Sequence, residues 1–240
     1  MTATTTSIPA LAVETAALEQ VTEDLYRDIH KGIRAELFAV TAAAGRVDPG
    51  DADAVRAVGD QWRRVVFVLV SHSEHEDQWV QPVLERHSPT LAAQVAREHP
   101  QLEAHMAALE ILADRAAEAC PADRRLLVHR MYLGFASFTA AYLQHQEVEE
   151  FQVMTLLSKE IPVAELQALH GALVASIPPD ELAASAAVML PAMNVEDRVG
   201  VLGGIQAAAP PEAFAGMMGL AESVLDPADY RAVADRLGVA

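Results

Sequence analysis

Along the first two thirds of the chain, apolar residues recur at alternating steps of four and three, the period of a helix that buries one stripe. The pattern starts near Glu14 and breaks at Gly45, Asp48, Pro49 and Gly50. It resumes from Asp51 to about His87, with Pro82 inside it as a kink. Ser88-Pro89 reads as the N-cap and first position of a third helix, which runs to about Cys120 and contains Pro100. Pro121 opens a fourth helix that reaches about Glu160 before Ile161-Pro162 ends it. Residues 1–13, rich in Thr and Ala, are expected to fray. Four long helices on short connections predict an all-α, up-down-up-down four-helix bundle over residues 14–160. No segment alternates as a strand would. Beyond Pro162 the helices shorten, gain Ala, Gly and Met, and are broken by Pro178-Pro179, Pro191, Pro210-Pro211 and Pro227. Asp180, Asn194 and Asp226 are expected to be N-caps there. Residues 163–240 therefore read as a C-terminal extension of four or five short helices.

Each long helix presents one seam to the bundle interior. The first seam is Tyr26, His30, Ile33, Leu37 and Val40; the second is Val65, Leu69, His72, Glu76, Trp79 and Val83. The third is Val95, His99, Leu102, Met106 and Leu109. The fourth is Met131, Phe135, Phe138, Tyr142, His145, Glu149, Gln152 and Leu156. Every seam is apolar except where it carries His or His-x-x-x-Glu. A polar group on an apolar seam is costly unless it is paired, so interruptions on four helices are expected to meet. Their heights agree. His145 lies 24 residues after Pro121 and His99 lies 22 before it. Glu76 lies 12 residues before Ser88 and His99 lies 11 after it. His30 is 18 residues before Asp48 and His72 is 21 after Asp51. At about 1.5 Å per residue, these levels match within roughly one helical turn.

The expected cluster of His30, His72, Glu76, His99, His145 and Glu149 holds four imidazoles and two carboxylates. His at i and Glu at i+4 share a helix face, so both reach one metal or two adjacent metals. Nitrogen and oxygen donors without sulfur suit iron or manganese, with zinc a weaker fit. Two carboxylates aimed at one spot would bridge two cations, and six protein groups leave coordination positions open for water, oxide or O2. His105 lies near the face of His99 but about one and a half turns closer to the turn at Cys120. His99 is therefore the expected ligand and His105 a flanking residue, while Glu103 stays open as a further member of the shell.

Composition narrows the function classes. The chain has 240 residues, 52% of them apolar, so one or two packed domains are expected rather than disorder. The formal charge of -17 repels phosphate backbones and anionic lipids, so neither nucleic acid nor a membrane surface is an expected partner. No apolar run reaches spanning length, and Met1 to Ala10 lacks a basic and apolar leader, which together point to the cytoplasm. The single Cys120 excludes an internal disulfide and a cysteine-built zinc site. His75, His87 and His129 fall off the seams and are expected to be solvated. Tyr26 and Tyr142 are expected to be core aromatics beside metal histidines. Trp79 reads as packing, and the Met217-Met218 stretch as core.

The seam residues carry a family resemblance. Ile29-His30-Lys31-Gly32-Ile33-Arg34-Ala35-Glu36-Leu37 resembles the first metal helix of hemerythrin-like (HHE cation-binding) proteins. His72-x-x-x-Glu76-Asp77, with Pro82 further on, resembles their second, Glu98-His99-x-x-Leu102 their third, and His145-x-x-x-Glu149-Glu150 their fourth. The resemblance covers about residues 20–160. It implies two non-haem iron ions that bind or react with O2, peroxide or NO, in sensing, redox work or iron handling. The rival reading is a di-iron oxidase or oxygenase acting on a small organic substrate. Two departures weigh against simple O2 carriage. Carriers usually have a second helix-three histidine four residues from the first, where this chain has Val95 and Glu103, and they favour His-x-x-x-x-Asp over the His145-x-x-x-Glu149 found here. The extension would cap the bundle, transmit a signal, or engage a protein partner or a second copy of the chain.

Overall fold

The computed structural model describes residue 21 and residues 23–239, so the expected frayed stretch at 1–13 and the expected helix start at Glu14 lie outside the described residues. The described residues contain helices and no strand. Helix α1 spans Arg27–Arg46. Residues 23–26, which the apolar pattern put inside the first helix, are not helical, and the Asp24 carboxylate accepts from the backbone N–H groups of Tyr26 and Arg27 where α1 begins. Helix α2 spans Ala52–Trp79 and is capped by Asp51, which accepts from the N–H groups of Asp53 and Ala54. The expected kink falls at Val80, and a short helix α3, Gln81–His87, carries Pro82 in its first turn, where a missing N–H is tolerated. Helix α4 spans Pro89–Glu118 with Pro100 inside it. Ser88 occupies its N-cap position but makes no capping bond with its side chain.

The fourth long helix is more irregular than its seam suggested. Helix α5 spans Pro121–Val148, a π turn covers Glu149–Val153, and helix α6 covers Met154–Glu160. The wide turn holds an extra residue, so the apolar stripe beyond it slips by one position. Gln152 and Leu156, expected on the seam, are exposed and half-buried, while Val153 and Leu157 take the interior.

Helices α1, α2, α4 and α5 close an antiparallel ring: α1 packs on α2 and α5, and α4 packs on the same two helices. Three apolar clusters fill it, a small one of Val55, Ala116, Ala117 and Val128 and two larger ones. One includes Ile33, Leu37, Trp62, Leu69, Leu102, Phe135, Phe138 and Tyr142. The other includes Tyr26, Val80, Leu84, Val95, Val153 and Leu157. The polar interruptions of the seams lie between the two larger clusters in the chain order of every helix.

The extension consists of α7 Val163–Ser176, α8 Pro179–Ala192, α9 Val195–Ala208, α10 Pro211–Val224 and α11 Pro227–Leu237. Asn194 and Asp226 cap α9 and α11 as expected. Asp180 does not cap: Pro179 already takes the first helical position and places Asp180 inside the first turn, where its charge still favours the helix N-terminus. The extension has its own core of Leu190, Leu202, Met218, Ala221, Leu225 and Val233. Met217 is only partly buried against that core. Helix α8 serves two cores, because Leu190 packs into the extension while Ala184 and Val188 pack onto the bundle. It lies along α1 and also touches α2. The approach to α1 is closest at Gly32, where a Cβ would stand 2.9 Å from the Val188 carbonyl carbon and oxygen. No single helix among the described residues is long and apolar enough to cross a membrane; α7 and α8 pass such a test only jointly, bent by 113°.

Candidate metal centre

The four long helices bring all six seam residues named above into one buried cluster. His30 is fully buried, and His99, His145, Glu76 and Glu149 are each 5% exposed or less. His72 is nearly as deep, with its side chain 10% exposed. The Nε2 atoms turn inward. His30 Nε2 lies 3.2 Å from His72 Nε2 and 3.4 Å from Glu149 Oε2. His72 Nε2 is 3.1 Å from Glu76 Oε1, and His145 Nε2 is 3.0 Å from Glu149 Oε1. His99 Nε2 lies 3.6 Å from Glu76 Oε2 and 3.8 Å from Glu149 Oε1.

The outer sides of three rings are pinned by carboxylates. His30 Nδ1 bonds Glu150 Oε1 at 2.9 Å, His99 Nδ1 bonds Asp77 Oδ1 at 2.8 Å, and His145 Nδ1 bonds Glu98 Oε2 at 2.8 Å. A neutral ring that donates its Nδ1–H outward keeps its Nε2 lone pair facing the interior. Glu150 is in turn held by a two-pronged Arg34, at 2.7 and 2.8 Å. These partners follow a rule. Asp77 follows Glu76, Glu98 precedes His99 and Glu150 follows Glu149, and each reaches the histidine of a neighbouring helix. Adjacent helical residues are about 100° apart, so the neighbour of an inward residue is aimed at the helix beside it. Seam periodicity alone does not mark these acidic residues; their place next to a polar seam residue is the signal that could have found them.

Charge in the cluster is divided unevenly. Burial and the nearby Glu149 carboxylate hold Glu76 well above the carboxylate range. Burial opposes the Glu149 charge as well, but His145, His30 and His99 overcome it and keep Glu149 well below that range. Burial, reinforced by His30, pushes His72 down to about 3. Burial also acts against the His145 charge, yet Glu149 and Glu98 prevail and hold it up at about 8. Glu150 sits at about 2, because His30 and Arg34 outweigh its burial.

The donor set fits a cation. Both oxygens of Glu76, both of Glu149 and His99 Nε2 are buried, and among the described residues none of them meets a hydrogen-bond partner in bonding geometry. Some of these atoms lie near 3 Å from an imidazole nitrogen, so their lone pairs converge on shared points instead of on one another. Buried polar atoms are rarely left so. Two groups of potential ligands result: His30, His72, Glu76 and Glu149, and Glu76, His99, His145 and Glu149. The ligand atoms of each group lie within 4.8 Å of one another, near the span of donors about 2.0–2.2 Å from one ion.

Other expectations meet different outcomes. His105 is absent from both groups and packs edge-on against Phe138, ring centres 5.3 Å apart; Glu103 is exposed. His87 and His129 are exposed, as expected. His75 is not solvated: α8 covers it, and its Nε2 lies 3.2 Å from Glu181 Oε2, which also accepts from Ser71 Oγ at 2.5 Å. Nothing local to α2 announced that cover. Trp79 donates to Ser176 Oγ of α7 at 2.9 Å. Tyr26 and Tyr142 are buried, their rings 5.1 Å from His30 and 5.7 Å from His145. His99→Ala should lower metal content measured by elemental analysis, while His105→Ala should leave it near wild type; the reverse outcome would reject this register for α4.

An antiparallel helical bundle with a buried, unsatisfied histidine–carboxylate cluster defines a class of cation-binding protein. Residues 21–157, more than half of the chain, match the family described as Hemerythrin HHE cation binding domain, and the chain belongs to that family. No curated protein and no solved structure matches it.

Proposed function

We propose that the cluster holds two iron ions and binds or reacts with a small oxygen or nitrogen ligand such as O2, peroxide or NO. In this reading residues 14–160 form the metal-binding unit and residues 163–240 a metal-free cover on α1 and α2. His30 and His72 would hold one ion, His99 and His145 the other, with Glu76 and Glu149 shared between them. The carrying observation is the set of convergent buried atoms that no hydrogen bond satisfies. Iron bound there would supply redox and Lewis-acid capacity. The protein's part is to fix the imidazole tautomers through Asp77, Glu98 and Glu150 and to keep bulk water out. Nitrogen and oxygen donors without thiolate favour iron or manganese over softer metals.

The space beside the cluster favours a small ligand over an organic substrate. A cavity lined by Tyr26, Glu76, Gln81, Val95, His99 and Glu149 has room for about one water-sized molecule. An oxygenase substrate would need a pocket of several hundred Å³ reaching the same atoms.

Elemental analysis of protein loaded with ferrous iron without oxygen should give two iron ions per chain, and exposure to air should produce new visible absorption. Protein that takes up no transition metal under these conditions would end this reading. Uptake should also release protons, since His145, held up at about 8, keeps its proton at neutral pH, and the raised Glu76 carboxyl gives up its proton less readily than an ordinary one. Groups with raised values must lose protons to become ligands, so affinity should fall as pH drops from about 8 toward 6. Titration with zinc, which has no redox chemistry, checks the sign.

A further inference from the structure

The cavity beside the cluster has two polar wall residues that do not belong to the ligand set or its supporting carboxylates, Tyr26 and Gln81. Gln81, the first residue of α3, lies there beside Tyr26, Val80 and Leu84. Its amide is oriented by its neighbours. The nitrogen donates to the Ala92 carbonyl at 3.1 Å and to Glu85 Oε1 at 3.2 Å. Both partners are acceptors only, so turning the amide over would set oxygen against oxygen. The amide oxygen is consequently the free end. It is buried, and no donor among the described residues meets it. A buried acceptor is rarely kept in that condition.

The other polar groups of the cavity sharpen the point. Glu76 and Glu149 offer only acceptors when ionised, and Asp77 is already occupied by His99. Tyr26 carries a phenolic hydroxyl, which is a donor at neutral pH. The lining thus includes one residue whose hydroxyl can donate and one whose fixed, unpaired amide oxygen can accept. A ligand that carries hydrogen can use both. Dioxygen, nitric oxide and azide have no hydrogen to give and leave the Gln81 oxygen unmet.

We propose that Gln81 is a specificity residue, whose Oε1 accepts from the hydrogen-bearing end of the ligand and tunes the site for hydrogen peroxide over small ligands without hydrogen. The assignment rests on the small-ligand reading given above. It concerns binding alone; Gln81 takes no proton and forms no covalent bond.

The test uses the full chain loaded with iron, in the wild type and in Gln81→Leu and Gln81→Met. Iron content and unfolding temperature are measured first. Optical titration then gives the azide dissociation constant, and stopped-flow mixing gives the rate constant of the spectral change with hydrogen peroxide. With iron content unchanged in either variant, the peroxide rate constant should fall about tenfold, the scale of one lost hydrogen bond, while azide affinity holds or tightens. Equal changes with both probes, or no change with either, would overturn the role of Gln81 and leave the metal reading standing. A wild type that binds no iron, or that binds iron but responds to neither probe, would overturn both. If neither variant folds with iron bound, Gln81→Asn decides: it keeps an amide at the position but draws the oxygen back by one methylene, so a lower ratio of peroxide rate constant to azide affinity supports the role, and an unchanged ratio overturns it.

Discussion

Glu149→Ala is expected to empty both halves of the centre. Glu149 belongs to both groups of potential ligands, and three of the four cluster histidines lie within 4 Å of its carboxylate. Losing a carboxylate that only supports a ligand costs about 10–100-fold in metal affinity. Losing one shared by both positions should exceed that range. His72→Ala touches one group only and should halve the metal content, while exposed His87→Ala should leave it unchanged. The effect separates from stability through Glu76. In metal-free protein its charge is opposed by burial and by Glu149, so Glu76→Leu should leave the metal-free melting temperature unchanged or raise it. The same substitution should remove the metal. Elemental analysis and thermal melts with and without metal check both halves. A fall in metal-free stability with normal metal content would mean that the cluster serves packing alone.

Gly32→Ala is expected to loosen the extension from the bundle. The added Cβ would meet the Val188 carbonyl carbon and oxygen at 2.9 Å and Met189 Cα at 3.0 Å, all of them backbone. Backbone cannot swing aside as a flexible side chain can, so α8 must lift. Overpacking of this kind costs about 1–3 kcal/mol. The helix preference for Ala over Gly offsets about 1 kcal/mol of it. Lifting α8 should strain the Glu181 bonds to Ser71 and His75 and the Lys31–Asp197 pair, whose atoms span the same interface. Limited proteolysis near Ile177-Pro178, between α7 and α8, should quicken, and Trp79 emission should shift as its bond to Ser176 weakens. Gly204→Ala is the matched control. Its Cβ would meet nothing within 4 Å, so that variant should be neutral or slightly more stable.

By itself the sequence determined the helical character, the four long segments, the family resemblance and the grouping of His30, His72, Glu76, His99, His145 and Glu149 at one level. These are properties of single helices. A period near 3.6 and a polar interruption on an apolar stripe are written into residues three and four apart, and equal distances from the turns fix the heights. The place of His99 in the cluster and of His105 outside it was legible for the same reason, since about 9 Å along one axis separates them. What lies across helices was not legible. The pairings of Asp77 with His99, Glu98 with His145 and Glu150 with His30 depend on which helix stands beside which, and a helix seam carries no record of its lateral neighbour. The slip from Gln152 and Leu156 to Val153 and Leu157 required the π turn, which the packed interior selects and local propensity does not. The burial of His75 and the demand for glycine at position 32 arise only when α8, more than a hundred residues away in the chain, is laid on α1 and α2. Tertiary structure decided these points because the energy of a contact belongs to both partners, and either helix alone holds only half of it.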